Sequence, residues 1–298
     1  MQKNQRNLLR QIDRRFGKTR LKKITARRLL KWHAIWVDGT KFSAGAAFIK
    51  KLRAVLGFGM TVLEDKQCQR IRAVMSAMRF QRGRPRTQRV TVEHAIAIRQ
   101  VARKDGHYSM ALAQALQFEL MLRQKDVIGE WLPRKLPEGG VSDVVVDKRK
   151  WVFGLRWEEV DEQLVLRHRT SKTGKAVVFD LKLAPMVMAE LKRYRGRLPK
   201  SGPVIVNEQT GLPYSAYDYR RRWRAIARAA GVPDNVFNMD SRAGAITEAF
   251  DSGADHDFIR ASATHSDLQI TQGYNRGDEL KRTSAVAISR VGSRRLAA

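Results

Sequence analysis

Ala263-Thr264-His265-Ser266-Asp267-Leu268-Gln269-Ile270-Thr271-Gln272-Gly273-Tyr274 sets a histidine nine residues ahead of a tyrosine near the C-terminal end of the chain. Working outward, Arg242 lies 32 residues before that tyrosine, with Lys172 and Arg123 further upstream. Two arginines, a lysine, a histidine and a late tyrosine suit attack on a phosphodiester by a phenol oxygen. Planar guanidinium forks match the oxygens of a phosphoryl group through paired hydrogen bonds. The cations would themselves neutralise the phosphate, so this set calls for no metal and no cofactor.

Composition points to the same partner. The 298-residue chain carries 58 Lys and Arg against 29 Asp and Glu, a net charge of +29. Such a charge repels itself unless a polyanion offsets it, which makes nucleic acid the leading partner. A hydrophobic share of 43% supports real cores and excludes a disordered basic tail. Cys68 is the only cysteine, which excludes an intramolecular disulfide and a cysteine zinc cluster. No run of about 18 apolar residues is present, so no membrane span is expected. The basic first residues lack the apolar stretch of a secretory signal, and a cytoplasmic location is expected.

The charge is uneven: residues 1–86 hold 23 Lys and Arg but 4 Asp and Glu. This region reads as a helical domain over 1–80. A helix is expected near Asn7–Phe16. Thr25 is a candidate N-cap for a helix with Leu29, Trp32, His33 and Trp36 on one face. Phe48, Leu52, Val55 and Leu56 form a second stripe, and Cys68, Ile71, Met75 and Met78 a third. Residues 81–89, with Gly83 and Pro85 among arginines, read as a basic linker that also meets phosphates. The DNA-contact candidates are Lys22, Lys23, Arg27, Arg82, Arg84, Arg86 and Lys175. A second domain is expected over 90–298, mostly α with a small antiparallel sheet. Its helices fall at 91–104, 109–122, 184–196 and 215–230, and in short pieces from 241 onward. Strands are expected at Val141–Val146, Gln163–Arg169 and Ala176–Leu181. The last two flank a hairpin turn marked by Gly174. Residues 132–147 read as an insertion.

The chain resembles a tyrosine site-specific recombinase of the phage-integrase type over most of residues 87–285, and more loosely before that. Leu122-Arg123-Gln-Lys-Asp126-Val127 is similar to the first arginine motif of that family, with an acid three residues on. Arg156-Trp-Glu-Glu-Val160 followed by Ser171-Lys172-Thr-Gly174 resembles the strand and hairpin that deliver its lysine. Asp240-Ser-Arg242-Ala-Gly244 resembles the second arginine motif, and Thr264-His265-Ser266 with Tyr274 the closing box. Each motif alone is weak; the ordered set is specific.

The resemblance implies a helical core-binding bundle, an integrase-type catalytic domain, and recombination through a 3′-phosphotyrosyl intermediate. Tyr274 would be the nucleophile and Arg123 and Arg242 the transition-state cations. Lys172, or failing it Lys175, would be the general acid. His265 would bond a phosphate oxygen or assist the departing phenol proton. Asp126 either orients Arg123 or serves as a helix-end carboxylate. The implied partners are double-stranded recombination sites, sister copies in a tetramer, and DNA-bending accessory proteins, in a phage or mobile-element setting. A helix over 277–289 would dock on a neighbouring copy, and no arm-binding domain is expected ahead of the first helical stripe. The family has a histidine three residues before its second arginine, where this chain has Met239; Asn238 is the nearest polar substitute. The competing readings are a binding protein on an impaired recombinase fold, a metal-dependent nuclease or transposase, and a relaxing topoisomerase.

Overall fold

A computed structural model describes residues 2–277 and 287–288. The chain divides into two compact units, Met1–Arg86 and Thr87–Ala298. Four helices build the first: α1 (Gln2–Phe16), α2 (Ala26–Val37), α3 (Phe42–Thr61) and α4 (Lys66–Ala77). Thr25 caps α2 by accepting from the Arg28 amide, and Asp65 caps α4 by accepting from the Cys68 amide. Leu29, Trp32, Phe48, Leu52, Leu56, Cys68, Ile71 and Met75 share one core. A Cβ at Gly59 would meet Cys68 Sγ at 2.5 Å, so α3 and α4 approach closely where that glycine stands. Val55, expected in the buried stripe, is 45% exposed. At 100° per residue, Phe48, Leu52 and Leu56 stay on one face while Val55 falls on its flank.

The second unit is built around a helix that is buried almost all round. After α5 (Val92–Lys104), α6 (Tyr108–Glu119) buries every residue from Met110 to Phe118. It is followed by α7 (Gln124–Ile128), β1 (Glu130–Pro133), β2 (Val145–Val146), β3 (Arg149–Val152), β4 (Val165–Arg169) and β5 (Ala176–Asp180). Then come α8 (Pro185–Leu191), α9 (Ala216–Ala229), α10 (Ser241–Asp251), α11 (His256–Ser262) and α12 (Leu268–Gln272). Helices α5, α8 and α10 pack on α6.

Two glutamines inside this helix are fully committed, as buried polar groups must be. Gln114 accepts from Trp223 Nε1 at 2.8 Å and donates to Ser241 Oγ at 3.2 Å. Gln117 accepts from Tyr219 Oη at 2.9 Å and from Asn238 Nδ2 at 3.0 Å, and donates to Asn238 Oδ1 at 3.1 Å. The network therefore pins residues 238–241, the segment that leads into Arg242.

The hairpin expected around Gly174 is present: β4 and β5 pair antiparallel, closing from Arg169 opposite Ala176, and Gly174 has φ +66°. The region before it differs from expectation. Pairing within 141–146 is confined to Val145–Val146, and Val141 stands in solvent. The middle of a three-stranded sheet, ordered β1-β3-β2, is instead Arg149–Val152. Lys150, Trp151 and Val152 are all buried, so β3 shows no alternation and its charged lead-in hides it. The helix expected over 184–196 ends at Leu191, passing into a 3₁₀ turn and left-handed Arg195.

A buried ion pair ties α5 to α8. Arg99 donates through Nε to Glu190 Oε1 at 2.8 Å and through Nη2 to the Met186 carbonyl at 3.0 Å. Arg103, more exposed, adds a 3.0 Å contact to the same carboxylate oxygen. Glu190→Ala would leave the Arg99 charge buried and unpaired, with an expected loss of about 3–5 kcal/mol in urea denaturation. Arg103→Ala should cost less than about 1 kcal/mol in the same assay.

Candidate active site

Arg242 enters on the first turn of α10 and is 5% exposed. One Nη1–H donates to the Met121 carbonyl at 2.5 Å. Nη2 donates to the Ala263 carbonyl and to His265 Nε2, the latter at 2.9 Å. The Nε–H is buried without a protein partner. Of the five N–H groups of a guanidinium, this leaves the enclosed Nε–H and one on Nη1 without a protein partner among the described residues. Burial, then the neighbouring Arg123 charge, pushes the Arg242 pKa down to about 10, so it stays charged at neutral pH.

His265 sits between that guanidinium and Thr271. Because Nε2 accepts from Arg242, the Nδ1–H is the donor, directed at Thr271 Oγ1 at 3.0 Å. Burial first, then the charges of Arg242, Arg123, Lys172 and Lys175, push its pKa down to about 4. It is neutral at pH 7. A bond from His265 to a phosphate would require displacing Arg242 or Thr271, so the observed arrangement makes it a prop for Arg242.

Arg123 and the hairpin lysines are linked through Asp126. Arg123 is the N-cap position of α7, and its amide donates to Asp126 Oδ2 at 3.3 Å. The same oxygen is 3.8 Å from Arg123 Nη1. Oδ1 of Asp126, fully buried, accepts from Ser171 N at 2.7 Å and Ser171 Oγ at 2.6 Å. Asp126 therefore caps the helix through the Arg123 amide, faces the guanidinium at ion-pair distance without a hydrogen bond to it, and anchors the hairpin one residue before Lys172. Lys172 and Lys175 are both exposed on that hairpin. Lys175 Nζ reaches the His265 carbonyl at 3.4 Å.

Tyr274 is half-buried directly after α12, packed with Ile246, Ile259 and Ala263. Its ring stacks on His265, with centroids 5.0 Å apart and planes at 28°. The Arg242 guanidinium carbon is 5.8 Å from the tyrosine ring centroid. Thr247 Oγ1 accepts from the Arg276 amide at 2.8 Å, and its hydroxyl lies 2.7 Å from the Ala243 carbonyl and 3.3 Å from the Tyr274 carbonyl. Arg276 Nη1 bonds Asp240 Oδ1 at 2.8 Å and the Gln88 carbonyl. The segment bearing the tyrosine is therefore tied to the start of α10 in its own chain. Arg123, Arg242, His265 and Tyr274 converge on one site, with Lys172 and Lys175 on the exposed hairpin beside it.

One expectation changes and another is not reached by the described residues. Asn238 cannot stand in for the missing histidine: it is 3% exposed and spends its amide on Gln117. Met239 is 62% exposed and supplies no proton donor. The helix expected over 277–289 lies outside the described residues except at Gly277 and residues 287–288.

Among the DNA-contact candidates, Lys22, Lys23, Arg27, Arg82 and Arg84 are exposed and Arg86 is half-buried, all in the first unit. That unit also contains a cavity of about 840 Å³ whose lining includes Lys50, Arg53, Arg72, Arg79 and Arg82. Lys50, Arg53, Arg72 and Arg79 were not among the sequence candidates; Lys50 and Arg53, at i,i+3 on α3, share one helical face, whereas Arg79 lies beyond the end of α4. Thr264 and Ser171, quoted within motifs, were given no role of their own, and Thr247 and Arg276 were given none, because Thr264 reaches Arg123 across 141 residues, Ser171 reaches Asp126 across 45, and Thr247 and Arg276 meet across 29.

No protein-family model matches the sequence, and no curated protein matches it. Solved structures do match. A lambda integrase dimer bound to a COC′ core site superposes with a TM-score of 0.67 at 15% identity, covering 93% of this chain and 89% of that one. A lambda integrase tetramer bound to a Holliday junction gives 0.65 at 15% identity, covering 93% and 72%. The Tn1549 transposon integrase in complex with transposon right end DNA gives 0.62 at 12% identity, covering 98% and 92%. The fold is that of the tyrosine recombinases.

Proposed function

We propose that the chain is a site-specific DNA recombinase or integrase that breaks and rejoins strands through a covalent 3′-phosphotyrosyl intermediate. The observation that carries the reading is the Tyr274 ring stacked on His265, with its centroid 5.8 Å from the Arg242 guanidinium carbon. The Tyr274 oxygen attacks phosphorus and gives up its proton to solvent water. The bond from phosphorus to the 5′ oxygen breaks, and that oxygen takes a proton from Lys172, or from Lys175 on the same hairpin. Arg123 and Arg242, the latter through its uncommitted Nη1–H, stabilise the charge on the non-bridging oxygens. The ester linkage conserves the energy of the phosphodiester, so a new 5′ hydroxyl can reseal the strand without ATP or metal.

The basic first unit serves as the core DNA-binding domain, with 81–89 as linker and 90–298 as catalytic domain. Its cavity lined by Lys50, Arg53, Arg72 and Arg79 adds phosphate contacts to Lys22, Lys23, Arg27, Arg82, Arg84 and Arg86. The assembly is a tetramer on paired duplex sites in the cytoplasm, aided by DNA-bending proteins, as part of a phage or mobile element. The core-site and Holliday-junction DNA in the solved relatives supports this partner class.

A second reading, a DNA-binding protein with impaired catalysis, is favoured by exposed Met239 and by the commitment of Arg242 to protein carbonyls. Nicked candidate-site DNA incubated with the protein in EDTA separates the two. The enzyme reading expects a detergent-resistant adduct with the DNA 3′ phosphate on a peptide containing Tyr274. Binding without an adduct supports the second reading, and cleavage that requires a divalent cation removes the first.

A further inference from the structure

Thr264 has φ +53°. A β-branched side chain in the left-handed region is a true outlier, since its Cβ substituents crowd the backbone there. The position closes α11, with the Thr264 amide donating to the Ala261 carbonyl at 2.8 Å. Glycine is the ordinary solution at such a helix end. The unfavourable residue is buried at 5% exposure in the middle of the site. Its neighbours already act there: the Ala263 carbonyl and His265 Nε2 both accept from Arg242 Nη2.

The hydroxyl has its own partner. Arg123 Nη1 donates to Thr264 Oγ1 at 3.3 Å. The Asp126 carboxylate, at 3.8 Å from the same nitrogen, is beyond hydrogen-bond range. Among the described residues, the Thr264 hydroxyl is therefore the hydrogen-bond acceptor that fixes the Arg123 guanidinium. That guanidinium needs fixing, because the two arginines repel and Arg123 is the more exposed of them. A second left-handed residue, Met121 at φ +52°, supplies the carbonyl that holds Arg242. Backbone strain thus sits at the supports of both cations, where strain tends to gather when it serves a function.

We propose that Thr264 is a positioning residue, kept in an unfavourable backbone conformation because its hydroxyl aims Arg123 at the phosphate. The proposal rests on the site being one that cleaves DNA. It separates geometry from stability, and the two pull in opposite directions.

The test compares Thr264→Gly, Thr264→Ser and the parent protein. Glycine removes the hydroxyl and relieves the backbone, so its melting temperature should equal or exceed that of the parent. Its affinity for site DNA should change less than about twofold, while single-turnover cleavage falls roughly 10- to 100-fold, as small misplacements of a reacting group do. Serine keeps the hydroxyl and should cleave within about threefold of the parent. Glycine cleaving at the parental rate, or serine as slow as glycine, overturns the proposal. If the parent forms no adduct, the recombinase reading fails by itself. Rotation of the Arg123 guanidinium, followed by NMR on isotope-labelled arginine, then decides: slow in the parent and serine proteins and fast in glycine supports the positioning role, and equal rates refute it.

Discussion

Tyr274→Phe is expected to abolish covalent DNA–protein adducts while leaving DNA binding in place. Phenylalanine keeps the ring that stacks on His265 and packs with Ile246, Ile259 and Ala263, so the local structure survives. The lost hydroxyl has no hydrogen-bond partner among the described residues, so stability should change by less than about 1 kcal/mol. On the proposed function, affinity comes from many Lys and Arg contacts to phosphates, and one neutral hydroxyl adds little to it. The measurement is a detergent-resistant adduct on nicked site DNA, with a binding titration in parallel. Persistent adducts in the Phe protein would mean that another residue attacks phosphorus.

Arg242→Lys is expected to slow strand cleavage ~10²–10³-fold, the size of effect seen when one transition-state donor is lost from a closed site. Lysine keeps a charge but not the fork. It cannot bond the Met121 carbonyl, the Ala263 carbonyl and His265 together while still facing a ligand. Burial would also favour its neutral form. The melting temperature should therefore fall as well, because carbonyls now paired would be left buried and unmet. Arg123→Lys is the useful contrast: Arg123 is partly exposed and its guanidinium has one hydrogen bond among the described residues, so its loss should act on rate far more than on stability. Parental cleavage by Arg242→Lys would reduce Arg242 to a structural role and favour the binding-protein reading.

Local signals made much of the fold legible. The Thr25 cap, apolar stripes at helical spacing and the glycine at residue 174 all act within a few residues of themselves. What escaped was non-local. β3 is a short strand buried along most of its length, so neither alternation nor a turn signal marks it. The candidate site divides the same way. Arg123, Arg242, His265 and Tyr274 could be singled out by residue type and order. Their supports could not: Ser171 reaches Asp126 across 45 residues, and Thr264 reaches Arg123 across 141. Asn238 does not replace the missing histidine, for a related reason. Proximity in sequence says nothing about which way a neighbour is drawn, and Gln117 on α6 draws it into the core.

By itself the sequence determined a basic, mostly helical chain with the residue types for phosphoryl chemistry in a telling order. Charge, helical period and turn chemistry are properties of short stretches, so they survive without coordinates. Only the tertiary structure decided that the His265 ring faces Tyr274 and accepts from Arg242, that Asp126 joins the first arginine to the hairpin, and that Thr264 bears a strained backbone beside Arg123. Those outcomes depend on distances between segments far apart in the chain, and packing around the buried α6 sets them.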